Sequence, residues 1–162
     1  MKTIYLMRHA KSDWADKKVE DWDRPLSKHG RKAMPAMGKF FEENKIQPQL
    51  ILASPASRAR QTCELLVDEI HYRGDIHFVS SLYQAEQDTC LKEIKQLPES
   101  VDSVLVIGHN PGLETLFQMF SGQIESLQTK SIACIQVNVD SWKDLDYDCP
   151  AGPVQLLKLK SD

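Results

Sequence analysis

The sequence predicts an α/β fold: a three-layer sandwich with a mostly parallel central sheet and helices on both faces. Two observations carry that prediction. Short runs rich in branched aliphatic residues alternate with longer runs of helical character along the chain. No linker, repeat or low-complexity segment interrupts the alternation, and 162 residues suit a single domain over 1–162 with a core of its own.

Taken in order, Thr3–Met7 is short, apolar and reads as a buried strand. Ser27–Asn44 reads as mostly helical, with Ser27 as N-cap. Pro35 lacks an N–H and should kink or split that helix. Gln49–Ala53 is a second strand, and Ser54-Pro55 reads as the cap and first position of a helix running to about Ile70. Ile76–Val79 is a weaker strand and Thr89–Gln96 a short helix. Val104–Ile107, all branched aliphatics before a glycine, is the clearest buried strand, and Asn110-Pro111 opens a helix by the same cap logic. Ile132–Val139 alternates and pairs with Val154–Lys160. The polar stretch Ser141–Pro153 between them reads as one long surface loop.

Composition narrows the function. The net charge of -3 provides no global basic footprint, so no nucleic-acid partner is expected and any anion site must come from locally placed cations. Cys63, Cys90, Cys134 and Cys149 are scattered without a C-x-x-C pair, which argues against zinc and for structural thiols in a reducing, cytoplasmic setting. The apolar run Ile4–Met7 stops at Arg8 and no stretch reaches transmembrane length, so no membrane partner is expected.

The chemistry gathers after three strands. Arg8-His9-Ala10 follows the first, Ser54-Pro55-Ala56-Ser57-Arg58-Ala59-Arg60-Gln61-Thr62 the second, and Gly108-His109-Asn110-Pro111-Gly112 the Val104–Ile107 strand. Ligands of open α/β sheets bind outside the carboxyl ends of the strands, so Arg8, His9, Arg58 and His109 can converge. Two of the segments begin helices, whose free N–H groups favour anions, and Gly108 offers a close backbone approach. Arginine forks suit phosphate oxygens. A neutral imidazole is a competent nucleophile toward phosphorus, and nearby cations disfavour its protonation. Losing one donor to the transferring group typically costs roughly 3–4 kcal/mol of barrier. With no acidic cluster of metal-ligand spacing, no metal is expected and the arginines take its place.

These residues resemble a known family. Arg8-His9 after an N-terminal strand resembles the signature of the histidine phosphatase superfamily, which includes cofactor-dependent phosphoglycerate mutase. Ser54-Pro55-x-x-Arg58-Ala59-x-Gln61-Thr62 resembles its second arginine motif, and Gly108-His109-Asn110-Pro111-Gly112 its second histidine motif. The resemblance spans residue 3 to about 121, with the motifs in order. Arg8-His9-Ala10-Lys11-Ser12 with Trp14, then Asp23-Arg24-Pro25-Leu26-Ser27-x-x-Gly30, is similar to the short SixA-type protein phosphohistidine phosphatases. The resemblance implies a phosphorylated His9, a phosphoryl group held by Arg8, Arg58 and His109, hydrolysis by water and no cofactor. It also implies a phosphohistidine-bearing protein as substrate and a monomeric enzyme.

Two departures qualify the match. Ala10 stands where the wider family has glycine. Mutase-like members carry a proton-donating glutamate where alignment places Gln84, which cannot donate to a leaving alkoxide; Glu86, two residues on, is the alternative acid. A missing acid and missing lid insertions both point to an open pocket and to the better leaving group of a P–N bond. Lys11, Trp14, Arg24, Gln84 and Glu86 are candidate rim residues, Arg24 alternatively pairing with Asp21 or Asp23. Arg60 reads as a packing residue, Cys63 as core, His29, His71 and His77 as surface or structural, and Asp13 and Asp88 as solvated. Two other functions stay open: a phosphatase of small phosphomonoesters using Glu86 or Asp13 as acid, and a non-catalytic phosphate-binding module.

Overall fold

Strands and helices alternate as predicted in the computed structural model, which describes residues 1–159. In chain order they are β1 (Lys2–Arg8), α1 (Lys28–Lys32), α2 (Met34–Glu43), β2 (Leu50–Ala53), α3 (Ser57–Glu69), β3 (Asp75–Phe78), α4 (Gln87–Lys95), β4 (Ser103–Gly108), α5 (Gly112–Ser121), β5 (Ser131–Val137) and β6 (Gln155–Lys158). The six strands form one sheet in the order β3-β2-β4-β1-β5-β6. The neighbours from β3 through β2 and β4 to β1 run parallel, whereas β5 is antiparallel to both β1 and β6.

The continuous apolar character of the central strands follows from burial on both faces. Ile4 and Leu6 of β1, Leu50 and Leu52 of β2, and Val104 and Val106 of β4 point into one core, packed against α4 and α5. Their neighbours Met7, Ile51, Ala53, Leu105 and Ile107 point the other way, into a core with Met34, Met37, Phe40 and Phe41 of α2 and Ala59, Cys63 and Leu66 of α3. Burying each leucine or isoleucine is worth about 1.5–3 kcal/mol. Helices therefore cover both faces, as the period-2 register of two-sided strands demands. None of the helices among the described residues is long and apolar enough to cross a membrane.

Pro35 acts as expected. The helical stretch divides at Ala33, which ends α1 and starts α2, with Pro35 in the first turn of α2. The Ser27 hydroxyl caps α1 by accepting from Gly30 N at 3.0 Å. Three local expectations are corrected. Ser54-Pro55 does not open α3, which begins at Ser57 behind Ala56, because the Ser54 hydroxyl is engaged by His109. Asn110 does not cap α5. Its amide donates to Leu127 O at 2.7 Å, and Pro111 takes the cap position. The Ser141–Pro153 stretch is not all surface loop: Trp142 is fully buried in a 3₁₀ turn, its indole N–H donating to Val101 O at 2.7 Å. β6 (Gln155–Lys158) falls inside the predicted last strand, without Val154 and Leu159; Lys160 lies outside the described residues.

The required close approach falls at Gly112, not Gly108. A Cβ on Gly112 would lie 1.9 Å from the carbonyl oxygen of Ala85, whereas one on Gly108 would meet only the Leu113 side chain at 3.4 Å. Gly112→Ala is therefore expected to destabilise the fold by about 1–3 kcal/mol through overpacking, read as a lower urea midpoint. An unchanged midpoint would show that the Ala85 loop yields freely.

Candidate active site

Strand register places the first residues of the site. Arg8 on β1 sits opposite Gly108 on β4, and Ala53 on β2 opposite Ile107. The next residues thus emerge together, His9 level with His109 and Ser54 one residue short of them, level with Gly108. His9 N donates to Gly108 O at 3.1 Å and Ser54 N to Ile107 O at 3.0 Å, which carries the ladder one residue past the strands. The imidazoles of His9 and His109 lie 5.3 Å apart between centroids.

Hydrogen bonds distinguish the two rings. His9 Nδ1–H donates to Ala10 O at 2.7 Å, leaving the Nε2 lone pair free. His109 Nε2 contacts Ser54 Oγ at 2.7 Å, and that hydroxyl oxygen already accepts from Ala56 N at 3.3 Å. The His109 Nδ1 is buried with no partner among the described residues. Burial is the foremost reason that both rings stay neutral. It pushes His9 down to about 4, a shift opposed by the Ala10 hydrogen bond and reinforced by the charges of Arg58, Arg8 and Arg24. His109 falls to about 3 by burial first and Arg58 second. The cations anticipated from sequence assist this effect without dominating it.

Both rings open onto a cleft of about 710 Å³ lined also by Arg8, Arg24, Arg58 and Lys11. Among the described residues, four cationic side chains there face one carboxylate, Asp21. Arg8 forms none of the ion pairs among the described residues, and its buried Nε has no partner. The donor set is rich and the acceptor set poor, a combination that suits a tetrahedral oxyanion. No group of three or more His, Cys, Asp or Glu side chains that could hold a metal ion occurs among the described residues.

Asp21 was visible in sequence only as a possible partner of Arg24, and it proves to organise the cleft. Arg24 Nη1 reaches its Oδ1 at 2.8 Å. Arg58 grips it twice, Nη1 on the backbone carbonyl at 2.7 Å and Nη2 on Oδ2 at 3.0 Å. Tyr83 O–H and Gln84 Nε2 also donate to Oδ2, the latter at 2.9 Å. Burial works to raise the Asp21 pKa, but the hydrogen bonds from Tyr83 and Arg58 and the two arginine charges outweigh it, so the carboxylate sits below its ordinary value. The three-residue spacing of Asp21 and Arg24 hinted at the first pair; nothing in linear sequence links Asp21 to Arg58.

The loop that carries Asp21 is pinned at its base. Ser12 bridges Leu26, Asp13 N donates to Pro25 O at 2.8 Å and Ser27 N to Lys11 O at 2.9 Å. Thr62 Oγ1 accepts from Ala10 N at 3.0 Å and donates to Arg58 O at 2.7 Å, while Gln61 Oε1 accepts from Leu26 N at 2.8 Å. The Gln-Thr part of the second motif thus fastens α3 to the loop after β1.

Of the rim candidates, Lys11, Trp14, Arg24 and Gln84 line the cleft. Both readings of Arg24 hold, since it lines the cleft and pairs with Asp21, with the exposed Trp14 ring stacked 3.4 Å from its guanidinium carbon. Gln84 has left-handed backbone, φ 50°, while holding Asp21. Glu86 is the exception: it is exposed at the N-cap position of α4, outside the cleft, because the chain turns there to start the helix. Arg60 packs its guanidinium over Phe78 at 4.0 Å, Cys63 is buried, and His29, His71 and His77 are exposed.

Residues 4–95 match the family model of the histidine phosphatase superfamily (branch 1). An uncharacterized chloroplastic protein of Arabidopsis thaliana is 31% identical over 150 residues, covering 87% of this chain and 69% of that one. The phosphohistidine phosphatase SixA of Escherichia coli is 28% identical, with 98% of each chain covered. A solved structure of the protein histidine phosphatase SixA complexed with tungstate superposes with a TM-score of 0.77 at 22% identity, over 96% of each chain, a likeness of fold. With more than half of its length matching the family, the chain belongs to the histidine phosphatase superfamily (branch 1) and is a SixA-like phosphatase.

Proposed function

We propose that this protein removes phosphate from phosphohistidine on another protein, through a covalent intermediate on His9. The observation that carries the reading is the combination of a free His9 Nε2 lone pair with a cleft that holds four cations and no protonated carboxyl group. The substrate ring takes a proton from water on its unphosphorylated nitrogen, leaving hydroxide in solution. The His9 lone pair then attacks phosphorus, the P–N bond breaks, and its electron pair leaves on the substrate ring as neutral imidazole. A second water attacks the phosphoryl group, and the P–Nε2 bond breaks with its electron pair returning to His9. Inorganic phosphate leaves, giving one of the water's protons to the hydroxide and leaving neutral His9 behind. Arg8, Arg58 and His109 carry the charge of the equatorial oxygens in both steps, and Arg24 adds its charge from the rim.

The substrate class follows from the acid that the cleft lacks. Among the described residues Asp21 is its one carboxyl group, and the hydrogen bonds from Tyr83 and Arg58 with the charges of Arg58 and Arg24 outweigh burial and hold it below its ordinary value. Glu86 and Asp13, on which a phosphomonoester reading depends, do not line the cleft, and Asp13 Oδ1 accepts from Ala15 N in its own turn. An alkoxide leaving group would depart unassisted, whereas an imidazole leaves far more easily. The SixA of Escherichia coli, named for phosphohistidine, is similar over nearly the whole chain and supports the same substrate.

The defining test is loss of phosphate from a phosphohistidine-bearing phosphotransfer protein in EDTA. The wild type should act and His9→Ala should fall by roughly three orders of magnitude or more; equal rates would sink the proposal. Asp21→Asn should lower kcat by roughly 10- to 100-fold, since Arg24 and Arg58 lose their anchor. The same variant should bind inorganic phosphate more tightly, because the cleft gains net positive charge. Weaker phosphate binding by a folded Asp21→Asn protein would assign Asp21 a merely structural role. In an NMR titration of the free protein, the His9 ring should protonate near pH 4. The unfolded chain takes up that proton near pH 6.5, so stability should decline as pH falls between those values, and less steeply in His9→Ala. A His9 midpoint above pH 6 would overturn the assignment of a buried neutral nucleophile.

A further inference from the structure

A second groove of about 500 Å³ runs on from the cleft, and Lys11, Gln128 and Thr129 line both. Beyond these shared residues its walls carry Lys130 and Lys158, the exposed His29, Glu125 as the one carboxylate among the described residues, and Ile124, which is 96% exposed. On a chain whose net charge is -3, the three lysines Lys11, Lys130 and Lys158 against one glutamate make a local excess of positive charge among the described residues. The groove is fixed to the chemistry. Asn110, next to His109, donates to Leu127 O at 2.7 Å, and Leu127 N donates to Glu114 Oε2 at 2.8 Å, so the wall segment is tied to the end of β4 and to α5. At the other end Leu159 N donates to Lys130 O at 2.8 Å, and Lys158 pairs with Ser131 across β5 and β6.

We infer that this groove docks an acidic stretch of the protein substrate adjoining its phosphorylated histidine, with Lys130 and Lys158 selecting for the flanking carboxylates. The inference rests on the proposed phosphohistidine activity and deepens it. Continuity fixes the occupant: a segment lying in the groove runs past Lys11 into the cleft where His9 waits. Charge fixes its chemistry, because acidic side chains are steered toward the lysines and gain pairs that salt screens. Lys130 and Lys158 lie outside the cleft, so they affect recognition without touching the transferred phosphoryl group.

Two synthetic phosphohistidine peptides, identical except for glutamate or glutamine at the flanking positions, provide the test, with p-nitrophenyl phosphate as a substrate too small to reach the groove. The wild type should prefer the glutamate peptide by about five- to tenfold in kcat/KM at low salt, and the preference should vanish in high salt. The double variant Lys130→Glu, Lys158→Glu should lose the preference while hydrolysing p-nitrophenyl phosphate at the wild-type rate. If that variant misfolds and loses the aryl substrate too, the milder Lys130→Gln, Lys158→Gln pair carries the same expectation. Equal turnover of both peptides by the wild type would overturn the groove assignment and leave the phosphohistidine reading standing. Hydrolysis of p-nitrophenyl phosphate but of neither peptide would overturn both. Inhibition by single-stranded DNA that disappears in the double variant, with no peptide preference, would reassign the groove to nucleic acid and overturn the inference.

Discussion

The parallel pairing of β1 and β2 with the β4 strand between them is the constraint on which the rest of the structure depends. Each strand is buried on both faces, so a slip of one residue would exchange every side chain between the two cores. That cost locks Arg8 opposite Gly108 and Ala53 opposite Ile107. His9 and His109 then have no choice but to emerge side by side, with Ser54 one residue below them, opposite Gly108. A two-sided hydrophobic register thus sets the spacing of two imidazoles that are 100 residues apart in the chain.

Bringing cations to that edge has an electrostatic cost, and the loop between β1 and α1 answers it. Arg24 and Arg58 share one carboxylate, and Tyr83 and Gln84 donate to the same oxygen. The clamp holds two guanidinium groups in place, while Arg8 forms none of the ion pairs among the described residues. Burial keeps both histidines uncharged beside them, so the positive charge in the cleft belongs to groups that keep their protons and the lone pair belongs to His9. In the proposed reaction, binding and nucleophilic attack are assigned to different side chains, and neither function compromises the other.

The same geometry bears on the substrate. The cleft continues into a lysine-lined groove, and both share their wall at Gln128 and Thr129. Trp14, exposed on the loop over Arg24, and Ile124, exposed on the segment after α5, add apolar surface at the mouth. A macromolecular substrate has surface to meet there that a small phosphomonoester does not use.

Sequence by itself determined the layered α/β architecture and the identity of His9, Arg8, Arg58 and His109, because both are written in local patterns: apolar runs of strand length, and short motifs directly after them. It also located the break at Pro35, where a missing N–H acts within one helical turn. Where a side chain had a choice of partners, local rules failed. Ser54 and Asn110 read as caps, yet Ser54 meets His109 and Asn110 holds Leu127. Ser141–Pro153 reads as polar surface although Trp142 within it completes a core. Tertiary structure alone decided that Asp21 joins Arg24 to Arg58, that Glu86 lies outside the cleft while Gln84 lines it, and that Lys130 and Lys158 meet beside Lys11. Those pairings depend on hydrogen bonds and charges between residues far apart in the chain, and only the closed sheet brings them within reach.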